Sequence, residues 1–174
     1  MASSCRNCDA TEPGPRRSRA GAAPVLVLGY GNPLRRDDGL GVALAETLAA
    51  EVRPGVEVRI CQQLTPDLAE PVSRAAAVVF VDAAVGGPAR VRLQRLRPHT
   101  GSTLGTHDCS PAGVLALAEA LYGRVPPAWL LALPGEDFGL GEGFSPRGEE
   151  SLRQGLDRLR RWLDRRRGAA RAAG

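Results

Sequence analysis

Two adjacent aspartates, Asp37 and Asp38, close the stretch VLVLGYGNPLRRDDG, residues 25–39, just after a glycine turn. A phosphate cradle places amide donors and positive charge at such a turn. Two carboxylates suit a cation instead. A third carboxylate, Asp82, follows the apolar run that ends at Val81, and His107 stands in a polar loop just before a helical stretch. Ligands of an open α/β sheet gather at the carboxyl ends of its strands. Right-handed crossovers bring the loop before the next helix to that same edge. Asp38, Asp82 and His107 can therefore converge on one cleft, and a mixed nitrogen and oxygen set suits nickel or zinc better than magnesium. Taken singly, each residue also has an ordinary role. Asp37 or Asp38 can cap a helix, Asp82 can cap a loop, and His107 can be a surface group. Spacing alone leaves both readings open.

Two nucleotide motifs are excluded on residue grounds. Gly29-Tyr30-Gly31 supplies two glycines of the dinucleotide fingerprint, but Leu34 takes the third place and Pro33 removes an amide donor. No Gly-Lys-Ser/Thr occurs, so there is no Walker A loop.

The elements that must position these residues read clearly from periodicity. Val25 to Leu28 is a buried strand, and Gly39 to Glu51 a helix with Leu40, Leu44 and Leu48 on one face. Val56 to Cys61 is a second strand. Thr65-Pro66-Asp67 opens a short helix to about Ser73, with Thr65 as the expected cap and Pro66 at its first position. Ala76 to Val81 is a third strand, covered on both faces. Arg90 to Leu96 alternates as an edge strand with one wet face. A helix from about Pro111 to Tyr122 and a strand from Trp129 to Leu133 follow. The last helix starts near Ser145-Pro146 and buries Leu152, Leu156, Leu159 and Leu163. Strands alternating with helices predict an α/β domain of three layers, α/β/α, around a mostly parallel, twisted sheet of about five strands.

The chain has 174 residues, 43% hydrophobic, enough for one full core. The reading places a flexible N-terminal tail at residues 1–23, one domain at 24–167 and a C-terminal tail at 168–174. No apolar run reaches the length of a membrane span, and no apolar stretch backs the first charges, so the expected compartment is the cytoplasm with no membrane partner. All 23 basic groups are arginines, and the net charge is only +4. With 4% aromatic residues, nucleic-acid binding is not expected. Cys5 and Cys8 form a C-x-x-C without the second pair of ligands a zinc knuckle needs. Cys61 and Cys109 read as small, buried or half-buried thiols rather than a disulfide. No long apolar patch lacks an internal use, so a monomer is expected.

GYGNPLRRDDGLG, then VFVDAA, then THDCSPAGVLALAEAL, in that order and at these distances, resemble the hydrogenase maturation proteases, endopeptidases that trim the C-terminus of [NiFe]-hydrogenase large subunits. The similarity runs from about Val25 into the last helix and takes in the late GFSP turn, Gly143 to Pro146. The resemblance implies an aspartyl-type endopeptidase whose Asp38, Asp82 and His107 bind nickel and carry the reaction. The nickel comes with the precursor's half-built site rather than staying in the protease, so cleavage becomes conditional on loading. Two positions depart from the family's usual pattern: Asp38 often has Glu as its counterpart, and Asp108 stands where Gln usually follows the histidine. Asn32 is expected to hold the loop, Asp37 to cap the helix and orient its neighbour, and Tyr30 to border the substrate groove. The alternatives are a small-molecule metallohydrolase with its own zinc on the same ligands, and a non-catalytic, nickel-dependent hydrogenase chaperone.

Overall fold

The computed structural model of the chain describes residues 23–86, 89–98 and 110–172. Its elements run β1 (Val25–Tyr30), α1 (Leu40–Ala50), β2 (Val56–Cys61), α2 (Ala69–Arg74), β3 (Ala77–Ala84), β4 (Arg92–Leu96), α3 (Pro111–Tyr122), β5 (Ala128–Pro134) and α4 (Pro146–Ala172). The sheet order is β2-β1-β3-β5-β4. Four strands are parallel, and the edge strand β4 runs antiparallel to β5, with Leu93 opposite Leu131.

Period-two alternation in the strands divides the core into two. Leu26, Leu28, Val78 and Phe80 face α2 and α3, where they meet Leu68, Val72, Val114 and Leu115. Val27, Val79, Val81, Leu131 and Leu133 face α1 and α4, where they meet Leu40, Leu44, Leu48, Leu159 and Leu163. Helices thus cover both faces of a mostly parallel five-stranded sheet, the expected three-layer architecture. The continuous apolar character of β3 follows from this double cover.

Three local details differ from the sequence reading. Thr65 makes no side-chain cap; Pro66 instead opens a 3₁₀ turn over Pro66–Leu68 that leads into α2. β3 continues past Val81 through Asp82 to Ala84, because β5 pairs with it as far as Pro134. α4 continues to Ala172, through residues assigned above to a tail, since alanine and arginine are strong helix formers and no proline intervenes. Cys61 is a half-buried free thiol, as expected. Residues 1–22 of the proposed N-terminal tail, with Cys5 and Cys8, and Cys109 lie outside the described residues. No helix among the described residues is long and apolar enough to cross a membrane.

Candidate active site

Beyond β1 the chain turns through Gly31, at φ 134°. A side chain there would put its Cβ 1.9 Å from the carbonyl oxygen of Asp38, so only glycine lets the turn close. Asn32 then does two jobs. Its side-chain Oδ1 accepts from the Leu34 amide at 3.0 Å, forming a small polar turn, and its own backbone amide donates to Asp38 Oδ2 at 2.9 Å. The Asp38 amide in turn donates to the Arg35 carbonyl at 3.1 Å. The loop therefore holds the Asp38 carboxylate from its own backbone.

Asp37, one residue earlier, is turned the opposite way. It lies in the 3₁₀ turn Arg36–Gly39, and its side chain caps neither that turn nor α1, contrary to the capping role expected of it. It is fully buried and accepts from the amides of Glu136 (2.7 Å), Asp137 (3.0 Å) and Ser145 (2.8 Å) and from the Ser145 hydroxyl (2.6 Å). Burial pushes its carboxyl up. The hydrogen bonds from Glu136, Ser145 and Asp137 outweigh that and leave it below its ordinary value. The Ser145 hydroxyl also accepts from the Gly148 amide at 3.0 Å, so one side chain caps α4 and donates to the buried carboxylate. Around this buckle, Arg36 pairs with Asp137 at 3.3 Å, Arg35 donates to the Phe138 carbonyl at 3.2 Å, and the amides of Arg36 and Gly141 bond Gly141 and Leu34 across the two loops. The two loop arginines are engaged inside the structure.

Asp82 sits near the carboxyl end of β3, opposite Ala132 of β5. The Tyr30 hydroxyl, from the end of β1, donates to Asp82 Oδ2 at 2.8 Å. Burial pushes the Asp82 carboxyl up to about 6; the bonds from Tyr30 and the Ala83 amide oppose the rise, and the neighbouring Asp38 charge adds to it. The same burial, with Asp82 beside it, raises the Tyr30 phenol far above its ordinary value. Asp38 and Asp82 thus come together at the carboxyl edge, and Tyr30, read above as lining a groove, is bonded to one of them. His107 and Asp108 lie outside the described residues. Among the described residues no group of three His, Cys, Asp or Glu side chains is arranged to hold a metal. The sequence reading missed the part played by Glu136, Asp137, Ser145 and Gly148 in anchoring Asp37. Ser145-Pro146 signalled a helix start, but nothing in a one-dimensional pattern links that serine to an aspartate over a hundred residues away.

No family model matches the sequence, and no curated protein matches it. Solved structures do match. The hydrogenase maturating endopeptidase HybD from E. coli superposes with a TM-score of 0.66 at 23% identity, over 82% of this chain and 93% of that one. The chain has the fold of the hydrogenase maturation endopeptidases. The [NiFe] hydrogenase maturation protease HycI from Thermococcus kodakarensis gives 0.63 at 24% identity, over 80% of this chain and 92% of the other. HybD from the same organism gives 0.61 at 22%, over 80% and 98%. Nearly the whole of each maturation endopeptidase is covered, so the likeness concerns the complete α/β/α domain. In this maturation-endopeptidase fold, Asp38 and Asp82 occupy the carboxyl edge of the parallel strands, where α/β folds hold their ligands.

Proposed function

We propose that the chain is an aspartyl-type endopeptidase that removes the C-terminal extension of a nickel-loaded [NiFe]-hydrogenase large-subunit precursor in the cytoplasm. Asp38, Asp82 and His107 take the precursor's nickel as the recognition element. The observation that carries this reading is that Asp38, from the turn after β1, and Asp82, near the end of β3, are neighbours at the carboxyl edge of a maturation-endopeptidase fold. The resemblance through THDCSP supports His107 as the third ligand.

The chemistry assigns each residue a task. Asp38 accepts at Oδ2 from the Asn32 amide, which holds the carboxylate in place. Tyr30 orients Asp82 in the same manner. A substrate metal then offers charge to two carboxylates and an imidazole, a donor set matched to a borderline divalent ion. A precursor without nickel forfeits those contacts while keeping the general protein interface, so cleavage is conditional on loading. Asp37 and Asn32 are positioning residues. Asp108 adds a carboxylate next to His107 and tunes metal or partner preference.

The test replaces Asp38, Asp82 and His107 singly with Ala and follows a nickel-loaded precursor by intact mass. Each variant is expected to slow loss of the C-terminal peptide by about a hundredfold or more, the range of a lost group that acts in the transition state. Wild-type rates in Asp38→Ala or His107→Ala overturn the assignment. Precursor binding with no shortening by the wild type identifies a chaperone instead.

A further inference from the structure

On α4, Arg158, Arg161 and Arg165 recur at intervals of three and four residues and form an exposed stripe about 10 Å long beside the buried Leu159 and Trp162. With Leu93 of β4, Trp129 of β5 and Trp162 they line a groove of about 400 Å³. Among the described residues, no carboxylate lines it. None of the three guanidiniums forms an ion pair among the described residues, whereas Arg160 on the next face bonds Glu51 at 2.8 Å and Arg53 bonds Asp164 at 2.9 Å. Among the described residues, this cluster is thus left without an ion-pair partner. In the floor, Trp129 and Trp162 pack edge to face at 4.9 Å, with Arg166 5.1 Å from each ring and Arg95 5.6 Å from Trp129. β4 ends the sheet at this side, and its outer edge pairs with no strand among the described residues.

We propose that this groove docks an extended acidic segment of a partner protein. Same-face side chains of an extended chain stand about 7 Å apart, so two or three carboxylates match the stripe. The outer edge of β4, unpaired among the described residues, supplies backbone pairing for such a segment. A nucleic acid fits less well, because base stacking needs free aromatic faces and both indoles already carry arginines. Trp129 lies three residues before Ala132, the partner of Asp82, which sets the groove about 10 Å along β5 from the candidate active site and leaves that site open.

Trp129 and Trp162 are the only tryptophans of the chain, so intrinsic emission reports on this groove alone. The full chain is titrated with a hexaglutamate peptide at neutral pH, followed by tryptophan emission and by calorimetry. Saturable binding is expected, weakened about tenfold when Arg158, Arg161 and Arg165 are all replaced by Ser, since each exposed charge pair contributes a factor of about two. The single variant Arg161→Ser, about twofold weaker, serves if the triple variant does not fold. Arg74→Ser, on the opposite face of the sheet, is expected to bind as the wild type does. No saturable binding, equal affinity in the arginine variants, or tighter binding of hexathymidylate than of the peptide overturns the proposal.

Discussion

Asp37 accepts four hydrogen bonds in a site without solvent, and its carboxyl is held below its ordinary value of 3.8. A depressed folded value means stability that is complete above 3.8 and lost as the pH falls through the folded value. Asp37→Asn keeps the shape but points an amide at donors, so it should cost about 2–4 kcal/mol in urea denaturation at neutral pH and flatten the acid limb of the stability profile. Asp82 has the opposite sign. Between 3.8 and about 6 the folded carboxyl keeps a proton that the unfolded chain has released, so stability declines as pH rises through that window. Asp82→Asn should therefore raise stability at neutral pH by about 1–2 kcal/mol while abolishing cleavage, as seen by comparing denaturation midpoints with precursor processing. The pair DD was legible as unusual chemistry after a glycine turn. Its division into one buried brace and one exposed-edge carboxylate was not, because that depends on which side the loop of Glu136 and Asp137 packs.

α4 meets the rest of the molecule at a joint made of Ser145, Gly148 and Asp37. A Cβ on Gly148 would lie 2.4 Å from Asp37 Oδ1. Gly148→Ala is accordingly expected to destabilise by about 1–3 kcal/mol, against the usual benefit of Gly→Ala in a helix, with thermal or urea unfolding as the readout. Helix propensity alone predicts a gain. The elements themselves were readable wherever burial imposes a period: Leu40, Leu44 and Leu48 on α1, Leu159 and Leu163 on α4, and the unbroken apolar run of β3. The failures sit at ends. Thr65 resembles a cap by type, yet Pro66 starts a 3₁₀ turn in which the Leu68 amide donates to the Thr65 carbonyl and the side chain makes no cap. The apolar run ends at Val81, whereas pairing with Ala132 and a bond from Tyr30 carry Asp82 inside the sheet near the carboxyl end of β3.

At the scale of the whole molecule, the parallel order β2-β1-β3-β5 gathers the ends of β1 and β3 at one edge, so Tyr30, Asp38 and Asp82 meet despite their separation in sequence. The layered architecture followed from alternating strands and helices, and the candidate site followed from motif order more than from any single residue. The central claim is that this edge reads nickel on a protein substrate. Wild-type protein incubated with the same large-subunit precursor in nickel-loaded and nickel-free form, with both followed by intact mass, tests it most directly. The account predicts loss of a short C-terminal peptide from the loaded form alone. Equal shortening of both forms, or of neither, contradicts it.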